Sequence, residues 1–178
     1  MTTPCTQRRP VVRWPPLGPW YGTDPAWRIP LEARARRRFG SALHVNQVAR
    51  QLRYVLDGVD VRGRAERVPV RVVFWADPRW DPEYGDLNFG LRPQDYPSVY
   101  ADSGALSKHR MPDDGLCLYC PRDPPERRWQ AEQGLDVLFD LVAEHLVAED
   151  WWRDSGGEQG GEWVLDEAPH VLADRQAR

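Results

Sequence analysis

The chain has 178 residues, 41% hydrophobic and 29% charged, which suits one globular domain with a sizeable core and irregular ends. Its 24 basic and 27 acidic residues leave a net charge of -3, so no global field argues for nucleic acid or an anionic membrane as a partner. Three cysteines without a regular framework argue against a disulfide scaffold, and with no signal-peptide pattern or membrane-length apolar run the expected location is cytoplasmic.

Residues 1–30 interleave Pro4, Pro10, Pro15, Pro16, Pro19, Pro25 and Pro30 with Trp14, Trp20 and Trp27. Missing amide donors and fixed φ predict an extended segment without regular helix, held to the domain by its tryptophans. Residues 31–39 read as a short basic helix, with Pro30 before it and Gly40 closing it. Its Arg34, Arg36, Arg37 and Arg38 form either a solvated face or a docking surface for an acidic partner. Residues 41–50 fit a helical extension or a loop equally well.

Residues 52–61 resemble strand, Asp57-Gly58 turn and strand, because Asp-Gly readily supplies the positive φ of a tight hairpin. Residues 68–75, rich in β-branched and aromatic side chains, carry the clearest strand pattern. Residues 77–84 are turn-rich, and residues 96–101 read as a shorter strand entered through Pro97. Residues 103–125 are interrupted by Gly104, Pro112, Gly115, Pro121, Pro124 and Pro125, and an irregular stretch of that length in a compact domain is often functional.

Leu135, Leu138, Phe139, Val142 and Leu146 recur at helical spacing, predicting an amphipathic helix over 131–150 that packs on the sheet. Trp151 and Trp152 close it, residues 156–161 read as a flexible glycine link, and a tail follows. The expected class is α+β, an antiparallel meander with helices on one side. The organisation is an N-terminal segment (1–30), a central domain (31–155) and a C-terminal link and tail (156–178).

Cys117 stands in the irregular stretch, after His109 and inside Gly115-Leu116-Cys117-Leu118. Three uses of this thiol compete. A buried structural cysteine suits its leucine neighbours. With Cys120 it makes a Cys-x-x-Cys pair, for zinc completed by His109, His145 or His170, or for dithiol redox chemistry. A closed zinc site normally shows a second close-spaced ligand pair, and Pro121, Pro124 and Pro125 prevent a helix from starting on the pair. As a nucleophile, Cys117 would carry an acyl group as a thioester. Backbone amides near Gly115 would then serve the oxyanion, and His109, Asp113 or Asp114 would polarise or take a proton. His109 could equally hold the loop through its ring nitrogens.

The order Tyr96-Pro97, His109, Gly115-Leu116-Cys117-Leu118, Trp129 and a following helix resembles the ubiquitin-conjugating enzyme family over residues 68–150. That family places a His-Pro-Asn tripeptide before its thioester cysteine. Here Arg110 and Met111 follow His109, and the His-to-Cys and Cys-to-Trp spacings differ, which resembles the bacterial branch found in antiphage defence operons, including cyclic-oligonucleotide-based (CBASS) systems.

The resemblance implies a ubiquitin-conjugating-enzyme-like fold and a thioester-forming transferase with Cys117 as nucleophile. Catalytic support would come from His109 and Asp114, loop shaping from Gly115 and Leu118, and packing beneath the loop from Trp129. The arginines at 34–38 would dock a partner. The partners implied are an activating enzyme and the C-terminus of a ubiquitin-like protein or a cyclic-nucleotide synthase. No metal or organic cofactor is expected, and no glycine-rich phosphate loop for an adenylating step is visible. Lys108 is the only lysine in an arginine-rich chain. This fits a GC-rich genome, and it also suits a protein that would otherwise acylate its own amines. A non-catalytic interaction module on the same fold is the alternative.

Overall fold

The computed structural model describes residues 19–165 except 23, 84 and 122. Trp14, Cys5 and His170 therefore lie outside the described residues. Helix α1 spans Pro25–Phe39, followed by strands β1 (Leu43–Val48), β2 (Gln51–Val59) and β3 (Val68–Trp75). A two-residue pair, β4 (Trp80–Asp81) and β5 (Gly85–Asp86), precedes β6 (Ser98–Ala101), and helix α2 spans Gly134–Asp154. The main sheet is antiparallel throughout, in the order β1-β2-β3-β6. The architecture is α+β, a four-stranded antiparallel sheet with two helices.

Sheet and helices share one core. Leu52, Tyr54 and Leu56 from β2, Val70, Val72 and Phe74 from β3, and Val99 and Ala101 from β6 are buried with Leu31 and Ala35 of α1 and Leu135, Leu138, Phe139, Val142 and Leu146 of α2. Alternate positions along each strand reach this face, as the period of two requires. Each fully buried Leu or Phe contributes roughly 1.5–3 kcal/mol of transfer free energy, so this one face dominates stability.

Helix α1 begins six residues before the predicted helix, which corrects the expectation that residues 1–30 exclude regular helix. Asp24 accepts the Trp27 amide at 3.1 Å as N-cap, and Pro25 occupies a first-turn position where no amide partner is needed. Pro30 lies inside the helix and removes one rung near its start. Trp20 and Trp27 pack against the core, and Trp20 Nε1 donates to the Trp75 carbonyl at 2.9 Å. Glu32 on α1 is buried and accepts bonds from Tyr54 Oη (2.7 Å), Arg28 (2.6 Å) and Arg36 (2.6 Å), pinning the helix to β2.

Asp57-Gly58 is not a turn. β2 runs through it with a register shift between Leu56 and Val59, and a Cβ on Gly58 would meet Arg67 Cβ at 2.5 Å. The glycine admits a close-approaching chain at a bulge rather than a positive φ. The hairpin turn lies at Ala49-Arg50, with Ala49 at φ 51°, and residues 43–48 form β1.

Helix α2 begins after a short 3-10 turn over Ala131–Gln133 and runs four residues past the predicted end, with Trp152 buried and Trp151 exposed. Residues 156–161 are ordered by a 3-10 turn at Gly157–Gln159 and a Gly161 amide bond to the Gly157 carbonyl at 2.7 Å, where a flexible link was expected. Among the described residues no helix is long and apolar enough to cross a membrane.

Candidate active site around Cys117

Cys117 follows a small hairpin. Met111 donates to the Gly115 carbonyl at 2.7 Å, Asp114 donates back to the Met111 carbonyl at 2.9 Å, and Arg110 and Leu116 form an antiparallel bridge. Pro112 fits the second position of such a turn, and Asp114 takes the left-handed conformation at φ 66°. The Leu116 amide donates to Val99 of β6 at 2.7 Å and the Cys117 amide to the His109 carbonyl at 3.0 Å. Two of the amides expected to serve an oxyanion are thus committed, one to β6 and one to the His109 carbonyl. A Cβ on Gly115 would stand 3.2 Å from Asp113 Oδ1 and 3.6 Å from the Val99 carbonyl, so glycine permits this close docking on β6.

The Cys117 thiol is half-buried, and Cys120 is buried. Burial, followed by the neighbouring Cys120 thiol, pushes the Cys117 thiol up to about 11. Tyr96 and Tyr119 stack edge to face at 5.7 Å and lie in the thiol's electrostatic neighbourhood, their hydroxyls raised mainly by burial. Phe89 extends the aromatic run, 5.8 Å from Tyr96. At neutral pH the thiol is protonated and sits in an aromatic, weakly polar setting.

His109 meets Cys117 through the backbone, while its ring packs on Trp163 at a centroid distance of 4.2 Å. Trp163 also faces His145 at 5.3 Å, and Lys108 Nζ lies 5.6 Å from the same indole. Residues after α2 thus fold back onto the segment before Cys117.

Asp114 accepts from the Gly104 amide and from Arg110 Nη1, each at 3.0 Å. Burial opposes its charge, but the Gly104, Arg110 and Ser103 donors hold its carboxyl below the usual range. Leu118 is half-buried against the core. Trp129 is buried, its Nε1 donates to the Gly134 carbonyl at 3.0 Å, and its ring lies 6.3 Å from Phe74, fixing the entry to α2.

Three of the four predicted docking arginines bind carboxylates within the chain. Arg34 pairs with Asp136 at 3.0 Å and Arg38 with Asp140 at 2.8 Å, clamping α1 to α2, and Arg36 pairs with Glu32. Arg37 is exposed and takes no part in these pairs.

The residue that organises the hairpin is Arg110, visible in sequence only as a departure from the family pattern. It binds Glu149 of α2 with both prongs and also donates to the Ala101 carbonyl at 3.1 Å and to Asp114. Asp113 accepts from Arg79 at 2.8 Å and from Tyr100 Oη at 2.6 Å, tying the hairpin tip to β6. Among the described residues no group of three or more His, Cys, Asp or Glu side chains is arranged to hold a metal ion, and Cys117 and Cys120 are both free thiols.

Compared with protein-family models, with curated proteins and with solved structures, the chain matches none.

Proposed function

We propose that the chain is a cysteine-dependent acyl carrier and transferase of ubiquitin-conjugating type, on a ubiquitin-conjugating-enzyme-like fold, with Cys117 as nucleophile. The observation that carries the reading is the partly buried free thiol directly behind a braced hairpin, between β6 and α2. The order of Tyr96, His109, Gly115, Leu118 and Trp129 along the sequence supports the same reading.

In the reaction, Cys117 Sγ attacks the thioester carbonyl of an activating enzyme. A new C–S bond forms, the old one breaks, and the proton given up by Cys117 ends on the departing thiol. An amine then attacks the new thioester, forming an amide, and Cys117 recovers a proton from that amine. The acyl donor is the C-terminus of a ubiquitin-like protein or a cyclic-nucleotide synthase, in bacterial antiphage defence in the cytoplasm. His109, through its carbonyl, and Asp114, through Arg110, position the hairpin. Arg37 is the remaining docking contact on α1.

Intact mass of the chain co-expressed with the activating enzyme and donor encoded beside it tests the reading. A hydroxylamine-sensitive adduct at Cys117 is expected, and a Cys117→Lys variant should trap a hydroxylamine-resistant one. A second reading, a non-catalytic interaction module, is favoured by the raised Cys117 thiol and by Met111, which supplies no side-chain amide. Absence of both adducts would overturn the acyl-transfer reading and favour the interaction module.

A further inference from the structure

The sheet face opposite the helices carries an open groove of about 1070 Å³. Its floor follows from the strand register. Val55 lies across from Arg71, and Arg71 across from Tyr100. Arg53, the next outward position on β2, is diagonal to Arg71. Diagonal neighbours on a sheet stand about 7–8 Å apart, so both long side chains can reach one ligand of nucleotide size lying on this face. Residues 64–69 form one wall, and Ala101, Asp102 and Ser103 border the β6 side.

The charges in this groove are unevenly matched. Arg64 is committed to Asp102 at 2.8 Å and Asp150 at 2.7 Å, and Arg67 to Asp60 at 2.9 Å. Arg53, by contrast, donates Nε to the neutral Gln51 Oε1 at 2.6 Å. Arg71 places its guanidinium over the Tyr100 ring, 4.6 Å from the centroid, a contact that uses the cation without a carboxylate. Neither forms an ion pair with a described residue. The lining carboxylates are Asp102, held by Arg64, and Glu66 on the exposed 64–69 wall.

Two adjacent arginines without carboxylate partners on a rigid sheet match a dianion, and their planar forks match phosphate oxygens pairwise. The volume slightly exceeds the about 300–1,000 Å³ of typical ligand clefts, far more than an inorganic phosphate fills. Val55 and Pro69 add apolar surface beside the arginines on which a ring can lie. We infer that this face is a binding site for a phosphate-bearing small molecule of nucleotide size, its phosphate held by Arg53 and Arg71. The inference is independent of the role proposed for Cys117.

Calorimetric titration of the full chain with AMP, GMP, CMP and UMP, with inorganic phosphate alongside, tests it. At least one nucleotide should bind at one per chain and more tightly than phosphate. Arg53→Gln and Arg71→Gln should each weaken that binding by about tenfold or more, and Val55→Glu should abolish it. Unchanged melting temperatures would show that these surface variants fold. No nucleotide binding below ~1 mM, or affinities that the three substitutions leave unchanged, would overturn the inference.

Discussion

Arg110 and Glu149 form a buried two-pronged ion pair, Nε to Oε1 at 3.0 Å and Nη2 to Oε2 at 2.8 Å, that bolts the hairpin before Cys117 to helix α2. The Glu149 side chain is 0% exposed and that of Arg110 7%. His145 lies 3.3 Å and Arg153 3.6 Å from the same carboxylate, so one buried anion gathers three cationic or donor side chains. Removing either member of the main pair strands a charge in the core.

Glu149→Ala and Arg110→Ala should therefore each destabilise the fold by about 3–5 kcal/mol in urea unfolding. The double variant Arg110→Met, Glu149→Leu should cost less than either single change, because neither member of the main pair is left as a buried charge facing an apolar side chain. Losses under ~1 kcal/mol for both single variants would show that the pair is solvated.

Acid should undo the same contact. Burial alone would raise the Glu149 carboxyl, but the neighbouring His145 and the Arg110 guanidinium more than offset it and hold it at about 2, below an ordinary value of 4.5. A carboxyl depressed in the folded state contributes stability fully above its unfolded value, and that contribution fades as pH falls from about 4.5 through 2. The amount at stake is on the order of 3 kcal/mol. Glu32, Asp114 and Asp150 are shifted in the same direction, so unfolding free energy should fall steeply in this window. Glu149→Gln should flatten the slope.

The Cys117 thiol, pushed up to about 11, should alkylate slowly at neutral pH. Relative to an ordinary thiol at 9.0, its thiolate population at pH 7 is lower by roughly 100-fold. Iodoacetamide labelling followed by mass spectrometry should show a rate that climbs from pH 7 towards pH 11 without a plateau near pH 9.0. A plateau there would mean that solvent reaches the sulfur freely.

Trp163 should report the fold-back of the tail. In Trp163→Ala, the ring protons of His109 and His145 should shift in NMR spectra while those of the exposed His44, paired with Asp57, stay in place. The stability cost should be about 1 kcal/mol, the scale of an aromatic contact. Unmoved His109 and His145 signals would place Trp163 elsewhere.

Local patterning alone determined the elements whose side chains repeat with one period. β3 stands where branched and aromatic residues cluster at 68–75, and α2 where leucines recur at helical spacing, because burial of one face imposes those periods. The candidate thiol was also legible, since a cysteine among Pro, Asp and Gly lies in a loop whatever surrounds it.

Tertiary structure decided the rest. Asp57-Gly58 has the composition of a turn, but cross-strand pairing carries β2 through it, and the bend falls at Ala49-Arg50, which lacks turn residues. Pro25 and Pro30 discourage helix locally, yet Asp24 caps the first turn and Leu31, Glu32 and Ala35 gain burial from continuing it. The arginines of α1 look alike in sequence, and only the approach of α2 assigns Arg34 to Asp136 and Arg38 to Asp140. Arg110 and Glu149 lie 39 positions apart, and no local rule links them. Their pairing exists because the folded core removes water from both, and in that setting each charge requires the other.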